Sequence, residues 1–144
     1  MRSDARPRIF LDSNVIFSGL YSASGAPGSI LNGYIEGKLR VVISQQVLEE
    51  VVRTVERKHI VALPLLKRIL VNVPPEIVED PKPEEIALWD RIMDSEDASI
   101  LAAAIAAQPD YLVTGDRRFF ENAEIINRTG LRIVTPAQFL KIWK

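Results

Sequence analysis

The stretch Arg8-Ile-Phe-Leu-Asp12 is a short apolar run stopped by an acid, and it reads as a buried strand. The same grammar returns at Tyr111-Leu-Val-Thr114, closed by Gly115-Asp116. Arg40-Val-Val-Ile43 and Arg132-Ile-Val134 are two further strands, and Glu76 to Glu79 is a shorter one. Helical patterns lie between them. Ala26-Pro27-Gly28 opens a helix with Pro near its first turn, which carries Ile30, Leu31, Tyr34 and Ile35 and stops at Gly37. Ser44 is an N-cap for a helix whose apolar stripe is Val47, Leu48, Val51, Val52 and Val55. Pro64 to Leu70, Glu84 to Met93 and Asp97 to Ala107 read as helices, and Thr135-Pro-Ala-Gln138 is a capping box that starts the last one. Strands alternating with helices imply parallel pairing through right-handed crossovers, so the expected fold is a single-domain three-layer α/β/α sandwich with a mainly parallel sheet.

Length and composition agree with this reading. The chain has 144 residues, 47% of them hydrophobic, which suits one domain spanning residues 1–144 with residues 1–7 as a flexible lead. Cysteine is absent and His59 is the single histidine. That excludes disulfides, thiolate zinc sites and cysteine nucleophiles. Charge and proline interrupt every aliphatic run before it reaches the ~20 residues of a membrane span. Arg2, Asp4, Arg6 and Pro7 leave no apolar stretch of the secretory kind near residue 1, so the expected compartment is the cytoplasm. The net charge of -1 hides an uneven distribution: residues 1–75 carry +4, residues 76–97 carry -7 and residues 98–144 carry +2. Most of the acids in the middle window are solvated surface, but Asp94 to Asp97 opens a helix.

In open α/β sheets ligands sit beyond the carboxyl ends of the strands, where the strand order reverses. The strands ending in Asp12 and Asp116 each run straight into an acid there. If the two strands are neighbours, both carboxylates share one sheet edge, and a cation between them keeps them ionised together. Oxygen ligands alone favour Mg²⁺ or Mn²⁺. Asp97 adds a third acid, because at about 100° per residue it lies in line with Leu101 and Ala104 on the buried stripe of its helix. Glu96 falls off that stripe. Glu49 and Glu50 lie about equally far from the centre of their own helix's stripe, on opposite sides, and the wheel does not choose between them.

These residues resemble the PIN-domain nucleases, including the VapC-type toxins of toxin-antitoxin modules. The resemblance runs from Phe10-Leu-Asp-Ser-Asn14 through Ser44-Gln-Gln-Val-Leu-Glu-Glu50 and Asp97-Ala-Ser-Ile-Leu-Ala-Ala-Ala104 to Tyr111-Leu-Val-Thr-Gly-Asp116 and Ile133-Val-Thr-Pro-Ala-Gln-Phe139. It implies strand order 3-2-1-4-5 and places the family's four acids on Asp12, Glu50, Asp97 and Asp116, with Asn14 and Thr114 as accompanying polar positions. Ser13 stands where many members have Thr. The resemblance further implies Mg²⁺- or Mn²⁺-dependent hydrolysis of RNA phosphodiester bonds, a cognate antitoxin and a homodimer.

Other readings fit less well. A phosphatase of the haloacid-dehalogenase type wants a second Asp two residues after the first, and that position is Asn14. A receiver domain needs an acid pair after its first strand. The alternative from another class is a noncatalytic scaffold of the same fold that binds RNA or protein, since a fold does not dictate a function. For RNA contact the best-placed cations are Arg117 and Arg118, directly after Asp116, with Arg53, Arg57 and Lys58 as a second patch. His59 reads as a surface residue. Trp89, Trp143 and Phe139 are aromatic candidates for base stacking, Phe139 having more the position of a core residue. Leu63, Leu65, Leu66, Ile69 and Leu70 exceed what one helical stripe requires, which fits a helix at a dimer interface.

Overall fold

The computed structural model describes residues 5–143. Residues 1–4 of the lead expected to be flexible lie outside them; at its far end, the Pro7 carbonyl accepts from the Arg40 amide at 2.9 Å. The strands are β1 (Arg8–Leu11), β2 (Arg40–Ser44), β3 (Glu76–Val78), β4 (Tyr111–Val113) and β5 (Ile133–Val134). All pair in parallel in the order β3-β2-β1-β4-β5. Phe10 sits between Val42 and Leu112, so β1 is the central strand. Ile9, Phe10 and Leu11 point alternately to the two faces, and all three are buried. Both faces of the sheet are therefore covered, as an all-parallel sheet requires.

The helices are α1 (Ser13–Tyr21), α2 (Ala26–Ile35), α3 (Gln45–Lys58), α4 (Leu63–Asn72), α5 (Pro83–Ala87), α6 (Ser95–Ala107), α7 (Ala123–Thr129) and α8 (Pro136–Trp143). Ser44 caps α3 by accepting from the Val47 amide at 3.3 Å, and Val47, Val51 and Val55 face the core. Helix α6 is different in kind: every residue from Asp97 to Ala104 is buried. Its alanines let neighbouring elements approach on all sides, so this helix is central, and an acid in its first turn is carried indoors. No helix among the described residues is long and apolar enough to cross a membrane.

Three elements depart from the sequence reading. The helix expected over Glu84 to Met93 ends at Ala87, because the Trp89 and Ile92 amides bond three residues back, to Ile86 and Trp89, and tighten the chain into turns that bury Trp89. Helices α1 and α7 were not expected. In α1 the mix of β-branched Val15 and Ile16 with Ser18 and Gly19 hides the period, and tertiary contact supplies the stability. A Cβ on Gly19 would stand 2.9 Å from the Pro27 carbonyl oxygen, so the glycine is what lets α1 lie against α2.

Candidate active site

The carboxyl edge of the sheet begins with Asp12, which ends β1 and caps α1 at once. Its amide donates to the Val113 carbonyl at 3.1 Å, continuing the β1–β4 ladder, and its Oδ1 accepts from the Ser13 amide at 2.8 Å. Thr114 and Asn14 hold the other oxygen. The Thr114 hydroxyl donates to Asp12 Oδ2 at 2.8 Å and accepts from the Asp116 amide at 3.0 Å. Asn14 Nδ2 donates to the same Oδ2 at 3.3 Å, while its Oδ1 accepts from the Gly115 amide at 3.3 Å. The two polar side chains thus clamp the ends of β1 and β4 together, orienting the Asp12 carboxylate and fixing the backbone at Gly115 and Asp116.

Glu50 reaches the cluster from α3. The Ser13 hydroxyl donates to Glu50 Oε2 at 3.1 Å and Gln46 Nε2 donates to Oε1 at 3.2 Å. Glu49 is exposed and pairs only locally, accepting from Gln45. Glu50 is thus bonded to a side chain from α1, and the bonds that Ser13 and Gln46 make to it are ones that sequence reasoning passed over. The serine at position 13 retains the hydroxyl that Glu50 uses.

Asp97 enters from the first turn of α6, where Asp94 caps the helix by accepting from the Asp97 amide at 3.0 Å. Asp12 and Asp97 are only 4% and 6% exposed. Burial pushes both carboxyls up, Asp97 to about 6; at Asp12 the bonds from Thr114 and Ser13 oppose the rise and Glu50 and Asp116 add to it. Asp97 Oδ2 is buried with no aligned hydrogen-bond donor. Among the described residues its close cation is Arg118, whose Nη1 lies 3.1 Å away in ion-pair reach. The same guanidinium grips Asp116 with Nε at 3.0 Å from Oδ1 and Nη2 at 2.6 Å from Oδ2, and touches Asp94 Oδ2 at 3.2 Å. This grip holds the Asp116 carboxyl below its ordinary value.

The edge therefore gathers carboxylates from four elements with one arginine among them. Among the described residues, no group of three or more acids or histidines is drawn in tightly enough to hold a metal ion as it stands. The chemistry nonetheless fits a hard cation: the donors are oxygens only, two acids are buried against their preference for water, and one buried oxygen lacks an aligned donor.

The remaining sequence candidates separate by place. Arg53 and Arg57 share a groove of about 220 Å³ with Glu50, Gln46, Thr54 and Glu96, so α3 leads from the acids to a basic surface. Arg117 and Lys58 are exposed. His59 packs on Tyr21 with ring centroids 4.7 Å apart. The aromatic candidates are taken up internally: Phe139 and Trp89 are buried, Trp143 stacks on Phe139, and Arg128 lies over Trp89.

A family model described as the PIN domain matches residues 8–118. No curated protein matches the chain in sequence. Solved structures share its fold. A toxin-antitoxin complex from Klebsiella pneumoniae is 20% identical with a TM-score of 0.63, covering 89% of this chain and 97% of that one. VapBC2 from Rickettsia felis, bound to a DNA fragment from their promoter, is 18% identical with a TM-score of 0.59, covering 89% and 98%. FitAcB from Neisseria gonorrhoeae is 18% identical with a TM-score of 0.60, covering 90% and 98%.

Proposed function

The chain belongs to the PIN-domain family, whose members are generally nucleases, and from that premise we propose that it is a Mg²⁺- or Mn²⁺-dependent endoribonuclease of the cytoplasm. The observation that carries this reading is the burial of Asp12 and Asp97 at the sheet edge beside Glu50 and Asp116, an assembly whose charge calls for a cation. Asp12, Glu50, Asp97 and Asp116 are the proposed ligands. When bound, the ion would polarise a phosphoryl oxygen and acidify a water for attack on phosphorus.

The protein's own groups do the rest. Thr114 and Asn14 act as positioning residues that aim Asp12, and Ser13 with Gln46 aims Glu50. Arg117, Arg118, Arg53, Arg57 and Lys58 supply the positive charge that the RNA backbone needs, since the acids alone repel phosphate. A cognate antitoxin is a proposed partner, supported by the likeness to toxin-antitoxin complexes. The deciding experiment titrates Mn²⁺ into the protein and then assays cleavage of a labelled RNA. Tight binding and metal-dependent cleavage are expected. An ion that does not bind at the acids leaves the fold as a noncatalytic RNA-binding or interaction scaffold.

A further inference from the structure

We propose that Arg118 is a built-in counter-cation of the acid edge, which an incoming divalent ion displaces from Asp97 and Asp116, and which then stays at the rim on Asp94. The inference rests on reading the acids as a metal site and adds how that site is held without its ion.

Three observations converge on it. The guanidinium contacts carboxylates on three residues at once, Asp116, Asp97 and Asp94, at 2.6 to 3.2 Å. Two of these belong to the four acids, and the oxygens that Arg118 engages on them are oxygens a metal would need. Second, Arg118 is anchored to move. Its amide is fixed by Asp116 Oδ1 at 3.0 Å, whereas its side chain is 58% exposed and can rotate outward. Third, Asp94 sits outside the acid quartet and is itself fixed. Its Oδ1 is committed to the Asp97 amide as a helix cap, which leaves Oδ2 as a resting place for the displaced guanidinium.

Electrostatics gives the arrangement a purpose. Four acids at one edge repel, and a monovalent guanidinium with several donors relieves that repulsion without the tight oxygen cage that a metal demands. A divalent ion carries twice the charge in a smaller volume, so it wins the shared oxygens where its concentration suffices. Competition lowers the apparent metal affinity by the fraction of molecules in which the arginine is seated.

The test measures Mn²⁺ binding to the 144-residue chain by calorimetry, for the wild type, Arg118→Met and Arg117→Met. The second variant removes the same charge one residue away. Arg118→Met is expected to bind about tenfold more tightly than the wild type, and Arg117→Met within about twofold of it. Equal or weaker binding by Arg118→Met, or equal tightening in both variants, overturns the counter-cation and leaves the metal site standing. Absence of Mn²⁺ binding in all three proteins overturns the metal site and the counter-cation with it. A second measurement needs no variant: the Arg118 Nε–H resonance of the wild type is expected to shift as Mg²⁺ is added, and a resonance unmoved at saturating Mg²⁺ overturns the displacement.

Discussion

Asp12 is held by three donors, yet its carboxyl is pushed above the ordinary value, because burial outweighs those bonds. Asp12→Asn removes the charge and little volume, and the Ser13 amide keeps its acceptor. The expected result is loss of metal-dependent RNA cleavage with a metal-free Tm that holds or rises, since one of several like charges is gone. Wild-type cleavage by this variant in Mn²⁺ would remove Asp12 from the mechanism. At Glu50 and Glu49 the contrast is positional. Glu50→Gln is expected to weaken Mn²⁺ binding and Glu49→Gln to leave it unchanged; calorimetry showing the reverse would put the wrong glutamate in the site. Asp97 supplies a pH dependence. Its carboxyl titrates at about 6 when folded against 3.8 for the ordinary group, chiefly through burial. The folded state holds this proton more tightly, so the stability it contributes is fully present below pH 3.8 and is lost as pH rises through about 6. Asp12 is shifted in the same direction. The metal-free Tm is expected to fall between pH 3.8 and about 6, and Asp97→Asn to flatten that fall. An unchanged slope in the variant would assign the effect elsewhere.

Among the elements, α2 shows how closely backbone can be required to pack. A Cβ on Gly28 would stand 2.3 Å from the Ala23 carbonyl oxygen, which is backbone and has little room to yield. A Cβ on Gly33 would stand 2.4 Å from the far end of the Trp143 ring, a side chain near the end of α8 that can turn aside. Both glycines are buried in the same helix, yet the substitutions differ in what must move. Gly28→Ala is expected to cost about 3 kcal/mol and Gly33→Ala about 1 kcal/mol. Thermal denaturation checks the order, and a larger loss at Gly33 would contradict it. Helix α6 makes the complementary point: its alanines, and not a strong amphipathic stripe, allow it to sit centrally and bring Asp97 to the edge.

The whole molecule leaves apolar surface uncovered near α4. The leucines that suggested an interface are largely absorbed by the core: Leu66 and Ile69 are buried, and Leu63, Leu65 and Leu70 pack partly buried against it. The exposed residues are instead Ile60 and Val61 in the turn before α4 and Val71 on α4, at 56%, 75% and 78%. We propose a homodimer through this region, the two-fold arrangement being the commonest closed one. Light scattering at micromolar concentration is expected to give twice the 16.2 kDa of one chain. A mass of one chain, unchanged on dilution, would end that proposal.

The sheet was legible in the residues because buried parallel strands are local objects: a run such as Ile9-Phe-Leu11 states its own burial, and Asp12 and Asp116 mark where two such runs stop. The caps at Ser44 and the stripe on α3 are equally local. The run from Asp97 to Ala107 was legible as a helix, but not that it is buried on all sides from Asp97 to Ala104, nor what Asp97 meets there. Helix α1 was illegible because its period is weak and its stability comes from packing on α2 and α3. The choice of Glu50 over Glu49 came from resemblance alone at the level of sequence, since both are equally placed on their helix; the bond from Ser13 to Glu50 exists only in the folded chain. Arg118 is the clearest case. In sequence it is one of two adjacent arginines after Asp116, and only the meeting of the β4 end with the first turn of α6 brings it between Asp94, Asp97 and Asp116. Periodicity and capping are properties of neighbouring residues, whereas convergence of charges from distant segments exists only once the chain has closed on itself.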